Sequence, residues 1–587
     1  MKLVNSVLNN GKVIPSSRYL LDQYFFSMED MHYYFYCSAC TQSIGNVLAT
    51  KARPDNVVCS NPNCNHVNTL SDLSQASYFV TFALPPQIER LLSDPKLRSK
   101  LVNPSDFEDP PPDGIMNDLY HGTMYRDFAN RVKNDSSPTM HISFTMSVDS
   151  ASLCTSFSGQ SICPVFLMLN ELPTVLRMGN LLLAGLWFGR VKEKIDLLLP
   201  PIVNHFVQLH RGFFINVGGV LNRVVVWLLG CCADSVARCE IQGIHSHRGD
   251  FPCSWCLIEG EEWQKSRIFR YTAMPNLRTI QGLLQDAEDA LQTKFFVNGV
   301  KYLSPLAGAP FFDPVNGFIV DQMHAKDEGT TKSYLKAWIR DFIGDSENLK
   351  TVDARMKQLK VPKECRKSIR SLGDTAHWTG REFENWGLFV SIPVLHNIVP
   401  RRNLMHWALY VQANYLLLST SVSLQAVDIA EKLFEEFCSK TEALYGPVMM
   451  RFNLHLLRHF ADNCRRWGPL FLSAYAFEAG NQRLKEEVHN CNYVPNQVAR
   501  SFSETNALNL LRTHCESAKT KLFASAIDRK AVSPLVPRGN IKLMKEGKAF
   551  RATEEEEWFF RRDGKTSSSF TQYGEVIKVI SEDIRVI

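Results

Sequence analysis

The chain has little excess of charge of either sign. Its 587 residues include 65 Lys and Arg against 60 Asp and Glu, a formal net charge of +5. So small an excess gives no argument by itself for binding nucleic acid. Hydrophobic residues make up 45% of the chain and charged residues 21%. This balance excludes a disordered polymer and indicates a globular protein with a large core, which the length divides into about three to five domains.

A long uninterrupted apolar run is also missing. The two most apolar stretches, 163–189 and 213–233, both contain polar and charged residues, and neither offers the roughly 18 apolar residues of a membrane span. The interrupting residues are Asn170, Glu171 and Arg177 in the first stretch and Asn216, Asn222 and Arg223 in the second. Residues 1–15 lack the apolar run of a secretory signal. We therefore expect an intracellular protein that does not bind membranes, in which paired cysteines more often hold metal than form disulfides.

Four of the 16 cysteines form two close pairs near the start of the chain. They follow the pattern Cys37-x2-Cys40, an eighteen-residue spacer, then Cys59-x4-Cys64. Four thiolates in two such pairs can surround Zn²⁺ tetrahedrally, with each pair on a tight turn. The pattern predicts a structural zinc ribbon, and the alternative is four unrelated reduced thiols. A ribbon of this kind contacts DNA in some proteins and only stabilises the fold in others, and the sequence leaves both open.

The chain divides into six regions by the character of its sequence. Residues 136–258 are rich in predicted strands, and residues 259–445 have the three- and four-residue apolar spacing of helices. In the first of these regions, 191–209 is predicted to be helical in two pieces, broken at Pro200-Pro201. The other regions are a ribbon region (1–76), a linker with an accessory helix (77–135), a helical segment (446–505) and a charged C-terminal tail with a hairpin candidate near 573–580 (506–587).

Two apolar runs in the strand-rich region end on an acid. The run 139–149 ends at Asp149, and the run 223–234, which has the continuous apolar pattern of a strand buried on both faces, ends at Asp234. Where such strands lie side by side, two carboxylates at their ends repel unless a cation sits between them. Mg²⁺ is held by one or two carboxylates with water and phosphate oxygens, so the pair suggests a phosphoryl-transfer site. Taken singly, each acid is more often a helix N-cap or a turn residue.

A second set of metal ligands is divided between distant parts of the chain. Cys253 and Cys256 form a Cys-x2-Cys pair, and far downstream His455 and His459 are spaced as two ligands on one face of a helix. The sequence alone permits a zinc shared by these two halves. It also permits His245 and His247 as rival ligands, or histidines that are merely part of a helix surface or core.

Residues from about 75 to 505 resemble the transposases of CACTA (En/Spm-like) DNA transposons, a group allied to the Chapaev and Mirage elements. The matching strings, in order, are SVDSASLCTSFSGQSICPVFLMLNELP, CCADSVARCEIQGIHSHRGDFPCSWCLIEG, VDQMHAKDEG and LYGPVMMRFNLHLLRHFADNCRRWGPLFLSAYAFEAGNQRLKE. The catalytic subunit of the V(D)J recombinase is similar in layout. The resemblance implies an α/β fold in which an RNase H-like core is interrupted by a large α-helical insertion, with the zinc ribbon preceding it.

The resemblance also implies site residues. The Asp, Asp, Glu active site of the family falls on Asp149, Asp234 and Glu478, and the shared zinc falls on Cys253, Cys256, His455 and His459. Glu486 and Glu487, further along the helix of Glu478, are competing candidates for the third acid. The implied cofactors are Mg²⁺ or Mn²⁺ at the catalytic site and structural Zn²⁺ at about two sites.

We therefore expect a nuclear transposase, or a protein derived from one, that cleaves double-stranded DNA ends and transfers them to target DNA. The implied assembly is a homodimer or a higher oligomer on DNA. Alternatives are a non-enzymatic nuclear scaffold that keeps the zinc-containing fold and binds DNA or protein, and a nuclease without strand transfer. Intact Asp149, Asp234 and Glu478 favour an enzyme, because a scaffold has no need of clustered acids that repel DNA.

Three further features bear on this expectation. Residues 451–550 hold 16 Lys and Arg against 8 Asp and Glu, a net charge of 16 − 8 = +8, so a basic surface that includes Arg465 and Arg466 is predicted beside the acidic site. Lys485, on the predicted helix of Glu478, is a candidate phosphate contact, although a solvated lysine is the more common case. Asp321 and His324 match an Asp-x2-His block of the family, and we interpret them as a hydrogen-bonded structural pair rather than as metal ligands.

Overall fold

The computed structural model describes residues 30–69, 77–107, 114–135, 137–153, 159–217, 219–272, 275–359, 369–469, 474–488 and 493–514. Residues Glu29–Pro495 form one compact unit, and Met1–Met28 with Asn496–Ile587 form another. The described part of the second unit belongs to a helix that begins at Val494 and ends at His514. The remainder of the predicted tail 506–587, with its hairpin candidate, lies outside the described residues.

Most strands of the described residues belong to one mixed sheet of ten. The strands are β1 (Met31–Tyr36), β2 (Ser43–Leu48), β3 (Asn56–Val58), β4 (Val67–Thr69), β5 (Tyr78–Phe82), β6 (Ile115–Met116), β7 (Thr139–Val148), β8 (Ala151–Ser152), β9 (Ser161–Leu169), β10 (Leu182–Gly189), β11 (Phe213–Val217), β12 (Val220–Ala233), β13 (Glu261–Trp263), β14 (Ser266–Ile268), β15 (Phe318–Val320) and β16 (Val422–Ser423). The order across the sheet is β11-β12-β7-β9-β10-β5-β1-β2, with β15 paired to β12 and β8 to β9. The small pairs β3–β4, β6–β16 and β13–β14 lie apart from it.

Helices surround the sheet and make up most of the second half of the described chain. The α-helices are α1 (Pro85–Ser93), α2 (Pro95–Arg98), α3 (Thr123–Val132), α4 (Thr174–Gly179), α5 (Ile195–His210), α6 (Ser235–Gln242), α7 (Ile280–Thr293), α8 (Lys332–Trp338), α9 (Ser346–Gln358), α10 (Gly380–Asn385), α11 (Ser391–Leu395), α12 (Arg401–Leu417), α13 (Leu424–Tyr445), α14 (Phe452–Leu456), α15 (Phe460–Trp467), α16 (Tyr475–Glu487) and α17 (Val494–His514). Segments Met323–Thr331, Ile339–Ile343 and Trp386–Val390 are π-helical, and short 3₁₀ helices span Pro104–Asp106, Leu119–His121, Pro305–Gly308, Leu372–His377, Pro447–Met449 and Leu457–His459.

The two acid-terminated runs are adjacent parallel strands. Strand β12 pairs in parallel with β7, and Cys232 lies opposite Ser147. Continuing this register by two residues brings Asp234 and Asp149 out of the same edge of the sheet. The last residues of both strands are buried. The predictions of these two strands are therefore confirmed, and with them the expected mixed α/β architecture.

One core strand lies where only helices were predicted. Strand β15 pairs in parallel with β12, with Val320 opposite Ala233, although its residues fall in the stretch 259–445. The hairpin β13–β14 lies in the same stretch. Each of these strands has three residues, too few to show a period of two against a helical background. The region is therefore helical with short strands in it, and Asp321 follows a third parallel strand at the edge that carries Asp149 and Asp234.

Helix α5 corrects a second expectation. It is continuous from Ile195 to His210 and contains both Pro200 and Pro201. Each proline removes one intrahelical hydrogen bond, and such residues usually end or kink a helix. Here Leu198, Leu199, Ile202 and Phe206 are all fully buried, so the packed apolar face offsets the lost bonds. The break that local rules predicted is therefore overridden by tertiary packing.

Candidate functional site

The first candidate metal centre is formed by Cys37, Cys40, Cys59 and Cys64. Their sulfur atoms all lie within 4.8 Å of one another, as the spacing predicted. The sulfurs of Cys37 and Cys64 are 3.8 Å apart and those of Cys40 and Cys59 are 3.5 Å apart. All four are free of disulfides, so four thiolates can converge on one ion.

Local backbone geometry presents these sulfurs. Cys37 follows β1 and Cys59 follows β3, and the turn after each strand reverses the chain so that the second cysteine of each pair comes back beside the first. Asn65, directly after Cys64, has a φ of 49°, a conformation that asparagine tolerates better than most residues. Although burial raises it, hydrogen bonds from backbone groups of Cys40 and Ala39 lower the pKa of Cys37 to about 6. A thiolate is therefore favoured at this position before any metal binds.

The ribbon is fastened to the central sheet. Strand β1 pairs with β2 inside the ribbon and with β5 of the sheet on its other edge. The guanidinium of Arg53 lies 4.2 Å from the ring centroid of Tyr33 and 4.4 Å from that of Tyr78, which joins the ribbon loop to β5. Strands β1 and β2 of the ribbon and the core that follows therefore share one sheet.

The second candidate metal centre brings together the two distant halves. Cys253, Cys256, His455 and His459 are all buried, and their ligand atoms all lie within 4.8 Å of one another. The sulfur of Cys253 is 3.3 Å from Nε2 of His459, and the sulfur of Cys256 is 3.3 Å from Nε2 of His455. This juxtaposition confirms the pairing that the spacing permitted.

The two thiols of this cluster differ in pKa: the hydrogen bond with Cys253 and burial raise the pKa of Cys256, so without a metal the pair holds one thiolate and one thiol. Burial lowers the pKa of His455, which keeps its imidazole neutral. The pKa of Cys253 lies well below its usual range, because the Cys256 thiol and the two imidazoles outweigh the effect of burial. Two sulfurs and two imidazoles in a closed, buried set are typical of a structural zinc site.

The rival histidines lie outside this cluster. Nδ1 of His245 is 2.9 Å from the carbonyl oxygen of Asp250, and the imidazole packs against the ring of Phe296. His247 is half-buried and lies close enough to Asp234 for the carboxylate to act on its pKa. Neither supplies a ligand to the second centre.

The three predicted catalytic acids meet at the edge of the sheet. Asp149 follows β7, Asp234 follows β12, and Glu478 lies in the first turn of α16. Burial, a hydrogen bond with Glu478 and the charges of Glu478 and Asp234 raise the pKa of Asp149 to about 8. The amide of Asn481, one turn after Glu478, is 3.4 Å from Oδ2 of Asp149. The carboxyl groups therefore share one electrostatic environment, which is the arrangement that a divalent cation relieves.

The spacing of these acids differs from that of the thiol clusters. Among the described residues, the sets of three or more ligands whose atoms all lie within 4.8 Å are the two Cys and His clusters. The carboxylate oxygens of Asp149, Asp234 and Glu478 therefore do not all lie within 4.8 Å of one another, unlike the ligand atoms of the two clusters. Oδ1 of Asp234 also accepts a 2.6 Å hydrogen bond from the backbone of Ala237, so this acid serves as the N-cap of α6 as well. The competing acids Glu486 and Glu487 lie about two turns along α16, roughly 12 Å from Glu478.

Asp321 and His324 form the predicted hydrogen-bonded pair. Oδ2 of Asp321 bonds Nδ1 of His324, and Oδ1 accepts 3.0 Å hydrogen bonds from the backbones of Met323 and Ala474. Burial lowers the pKa of His324, but the hydrogen bond and charge of Asp321, with a smaller effect of Asp234, raise it to about 9. The charge of this imidazole partly opposes the effects that raise the pKa of Asp149. The pair is therefore structural, and it also belongs to the surroundings of the acidic site.

Sequence reasoning missed two residues of this site. Asn481 is buried and contacts Asp149, but an amide inside a helix carries no distinguishing pattern. The second missed residue is Ala474, whose backbone N–H donates a hydrogen bond to Asp321, 153 residues earlier in the chain. This contact can be predicted only when β15 is recognised as a strand. The short strand was the missing signal.

The two arginines expected to form a basic surface are paired with acids. A guanidinium nitrogen of Arg465 is 2.7 Å from Asp428 and 2.6 Å from Glu431, and Arg466 lies 2.7 Å from Asp462. These two arginines are therefore not free positive charges. Lys485 is half-buried on α16, one turn beyond Asn481, and remains a candidate phosphate contact.

No protein-family model matches the chain, and a search of curated proteins found no relative. Within the described residues, no helix is both long enough and apolar enough to span a bilayer.

Proposed function

We propose that the protein is a DDE-type DNA transposase, or a protein derived from one, that performs metal-dependent cleavage and strand transfer at DNA ends. The observation that carries this proposal is the meeting of Asp149, Asp234 and Glu478, which come from three distant parts of the chain, at one edge of the sheet. An RNase H-like core with a helical insertion is supported by the parallel strands β7 and β12, which end on the first two acids.

The residues around Glu478 support a fixed position for the third acid. Gly480 packs its backbone against the ring of Phe166 on β9, so a Cβ there would meet the ring at 3.1 Å. The backbone of Ala474, directly before α16, is held by Asp321. The hydroxyl of Tyr475 donates a 3.1 Å hydrogen bond to the buried carboxylate of Asp327. These contacts place α16 against the sheet with Glu478 toward Asp149.

The acidic set fits a divalent cation. Asp149 has a raised pKa because it is buried and its neighbours Glu478 and Asp234 are also acids, so positive charge added nearby favours its charged form. When bound, Mg²⁺ or Mn²⁺ would activate water or a DNA 3′-hydroxyl and stabilise the leaving oxygen. Asp149 and Glu478 would bind the ion. Asp234 would bind it through Oδ2, because Oδ1 caps α6. The positive charge of His324 is close enough to Asp149 to oppose the rise in its pKa.

We propose Zn²⁺ for both thiol-containing clusters. Sulfur and imidazole ligands in closed tetrahedral sets are the preference of zinc, and the buried second cluster leaves no open position for catalysis. The second cluster links the loop after α6, the helix that Asp234 caps, to the segment that leads to α16. Its role is therefore to hold the elements of the second and third acids together.

The decisive experiment measures Mg²⁺-dependent cleavage of double-stranded DNA that carries the inverted repeats flanking the gene. Asp234→Asn and Glu478→Gln should abolish nicking and strand transfer, whereas Glu487→Gln, on the same helix, should retain both. DNA binding should survive in all three variants, because the acids are not the source of affinity for the phosphate backbone.

Each result has a distinct meaning. Cleavage by the wild type that Glu478→Gln does not reduce refutes the assignment of the third acid. Binding without cleavage in every condition supports the non-enzymatic scaffold, and cleavage without joining to target DNA supports a nuclease. Zinc content measured on the same samples separates loss of chemistry from loss of the fold.

A further inference from the structure

Tyr475 is the first residue of α16, the helix that carries Glu478 one turn later. The hydroxyl of Tyr475 donates a 3.1 Å hydrogen bond to Oδ2 of Asp327, and the guanidinium carbon of Arg381 lies 3.8 Å from the centroid of the Tyr475 ring. Residues three apart lie on the same side of a helix, so contacts that fix Tyr475 also fix the direction of Glu478. These contacts come from the π-helical segment Met323–Thr331 and from α10, both far from α16 in the chain.

The carboxylate that accepts this hydrogen bond is itself held in place. Asp327 and Lys326 are 0% and 1% exposed, and Nζ of Lys326 bonds Oδ1 of Asp327. Removing two charges from water is costly, and an apolar pair of similar volume often gives a fold of equal or greater stability. Stability alone therefore does not explain this ion pair. The carboxylate has a second oxygen, and that oxygen holds Tyr475.

Helix α10 packs closely on Tyr475. A Cβ on Gly380 would lie 3.2 Å from the Tyr475 hydroxyl, so the backbone of α10 leaves this group little room to move. Arg381 lies over the ring and also makes a 2.6 Å ion pair with Glu384, which restricts the guanidinium. The start of α16 is therefore held at both the hydroxyl and the ring of one residue.

The other two acids of the site are positioned differently. Asp149 and Asp234 directly follow buried strands of the sheet, and Asp234 also caps α6. Glu478 is half-buried and does not follow a strand. Its position therefore depends on the side chains that hold Tyr475.

The position of a third carboxylate matters for the choice of cation. Mg²⁺ requires a near-ideal octahedron of oxygen atoms at about 2.0–2.1 Å, whereas Ca²⁺ accepts about six to eight oxygens at about 2.3–2.6 Å in flexible arrangements. A carboxylate that is fixed in place can therefore favour Mg²⁺. One that is free to shift fits Ca²⁺ equally well.

We propose that Tyr475 is a positioning residue that makes the acidic edge selective for Mg²⁺ over Ca²⁺. The proposal rests on the proposed function, because it requires that Asp149, Asp234 and Glu478 bind a divalent cation. It adds that the segment Met323–Thr331 and α10, neither of which supplies one of these acids, determine which cation binds.

The test is isothermal titration calorimetry of Mg²⁺ and of Ca²⁺ into the full chain, with Asp149→Asn to identify the heat that comes from the acidic edge. Burial raises the pKa of Asp327 to about 7, so the titrations are run at pH 8, where this carboxyl group is charged. Tyr475→Phe keeps the ring and removes the hydroxyl. It should weaken Mg²⁺ binding roughly tenfold, near the value of a hydrogen bond to a charged group, and change Ca²⁺ affinity less than about twofold.

Tyr334→Phe is the matched control for this substitution. The Tyr334 hydroxyl is buried and lies 2.6 Å from Oγ1 of Thr441, so the variant also loses one hydrogen bond of a tyrosine hydroxyl. That bond joins α8 to α13 and does not involve α16. Tyr334→Phe should therefore bind both cations as the wild type does.

Arg381→Gln tests the second contact at an exposed position, where folding should not be affected. It should weaken Mg²⁺ binding about threefold, within the range of an exposed cation–π contact, and spare Ca²⁺. Arg340→Gln is its control, because the Arg340 side chain is 60% exposed against 56% for Arg381 and also pairs with an acid at 2.6 Å. It should leave both affinities unchanged.

A selective loss of Mg²⁺ affinity in Tyr475→Phe and Arg381→Gln supports the proposal. Unchanged affinities in Tyr475→Phe, an equal loss for both cations, or the same selective loss in Tyr334→Phe would overturn it and leave the proposed function intact. If the wild type and Asp149→Asn bind Mg²⁺ equally, the cation site of the proposed function fails, and this proposal fails with it. Zinc content and circular dichroism of each variant verify that the chain is folded.

Discussion

The sulfur of Cys253 lies 3.3 Å from the imidazole of His459, although 206 residues separate them in the chain. Between them run the strand β15 and the helices α7 to α13. A single ion bound at this point would therefore close a very long loop. Metal binding at such a site contributes directly to the stability of the folded state.

The first prediction concerns zinc stoichiometry. Elemental analysis of the purified chain should give about two zinc ions, and Cys253→Ser should give about one, because a hydroxyl is a poor substitute for a thiolate ligand. Cys438→Ser is the control. Cys438 is equally buried but donates to the carbonyl oxygen of Leu454 at 3.5 Å, a bond that serine can also make. Two zinc ions in Cys253→Ser would remove this cluster as a metal site.

The second prediction concerns the acidic edge in protein stripped of divalent cations. The pKa of Asp149 is raised from its ordinary value of 3.8 to about 8, so the folded state binds more protons than the unfolded state between these values. The contribution of Asp149 to stability is therefore present at pH 4 and is lost as the pH rises through 8. Urea unfolding should show a fall of a few kcal/mol over this window.

Asp149→Asn should remove that part of the pH dependence and be more stable than the wild type at pH 8. Addition of Mg²⁺ at pH 8 should raise the melting temperature of the wild type and leave Asp149→Asn unchanged. Asp55→Asn, at an exposed position, is the control and should behave like the wild type. An Asp149→Asn variant with the same pH profile as the wild type would contradict the clustering of charges.

The third prediction concerns the pair of Asp321 and His324. The pKa of His324 in the folded state is about 9, above its ordinary value of 6.5. His324 therefore contributes stability fully at a pH below 6.5, and this contribution is lost as the pH rises through 9. Asp321→Asn should cost about 1.5–3 kcal/mol at pH 6, the range for a hydrogen bond to a charged group, and less above pH 9.

The chain offers a matched pair for comparison. His377 and Asp374 have the same three-residue spacing and a hydrogen bond between Nδ1 and a carboxylate oxygen, but both side chains are exposed. Exposed ion pairs contribute little to stability, so Asp374→Asn should have no comparable effect. Equal losses of stability in the two variants would show that burial of Asp321 is not the cause.

Much of the site was predictable because each half of it is a local pattern. The Cys-x2-Cys and His-x3-His spacings each follow from the reach of side chains on a turn or a helix, and continuous apolar runs that end on Asp149 and Asp234 indicate buried strands. The order of these motifs along the chain resembles that of the transposase family, and this resemblance implied that the two halves of the second cluster share one zinc. The transposase function itself stays a prediction.

The parts that failed depend on contacts between distant residues. Strand β15 is too short to show a period, and it is a strand because β12 offers it an edge. Helix α5 continues through Pro200 and Pro201 because its apolar face is buried. Arg465 was counted as free positive charge, but its carboxylate partners lie 34 and 37 residues away. Local propensity contains none of these three facts.

The last prediction tests how the π-helical segment Met323–Thr331, which carries His324, is held against α14, which carries His455. Gly329 lies where a Cβ would come within 2.3 Å of the amide of Asn453 and 2.6 Å of the carbonyl oxygen of His324. The side chain of Asn453 can rotate away, but the carbonyl belongs to the backbone of the segment itself. Gly329→Ala should therefore distort the segment and destabilise the protein by about 1–3 kcal/mol.

Gly308→Ala provides the control for that substitution. A Cβ on Gly308 would meet Cγ1 of Val203 at 3.5 Å, an ordinary contact, so this variant should unfold at the same urea concentration as the wild type. If close packing of the π-helical segment on α14 also sets the position of His324, the pH-dependent stability between 6.5 and 9 should shrink in Gly329→Ala and persist in Gly308→Ala. A Gly329→Ala variant with unchanged stability and an unchanged pH profile would mean that the segment relaxes freely, and that the acidic edge does not depend on the contact of this segment with the helix of His455.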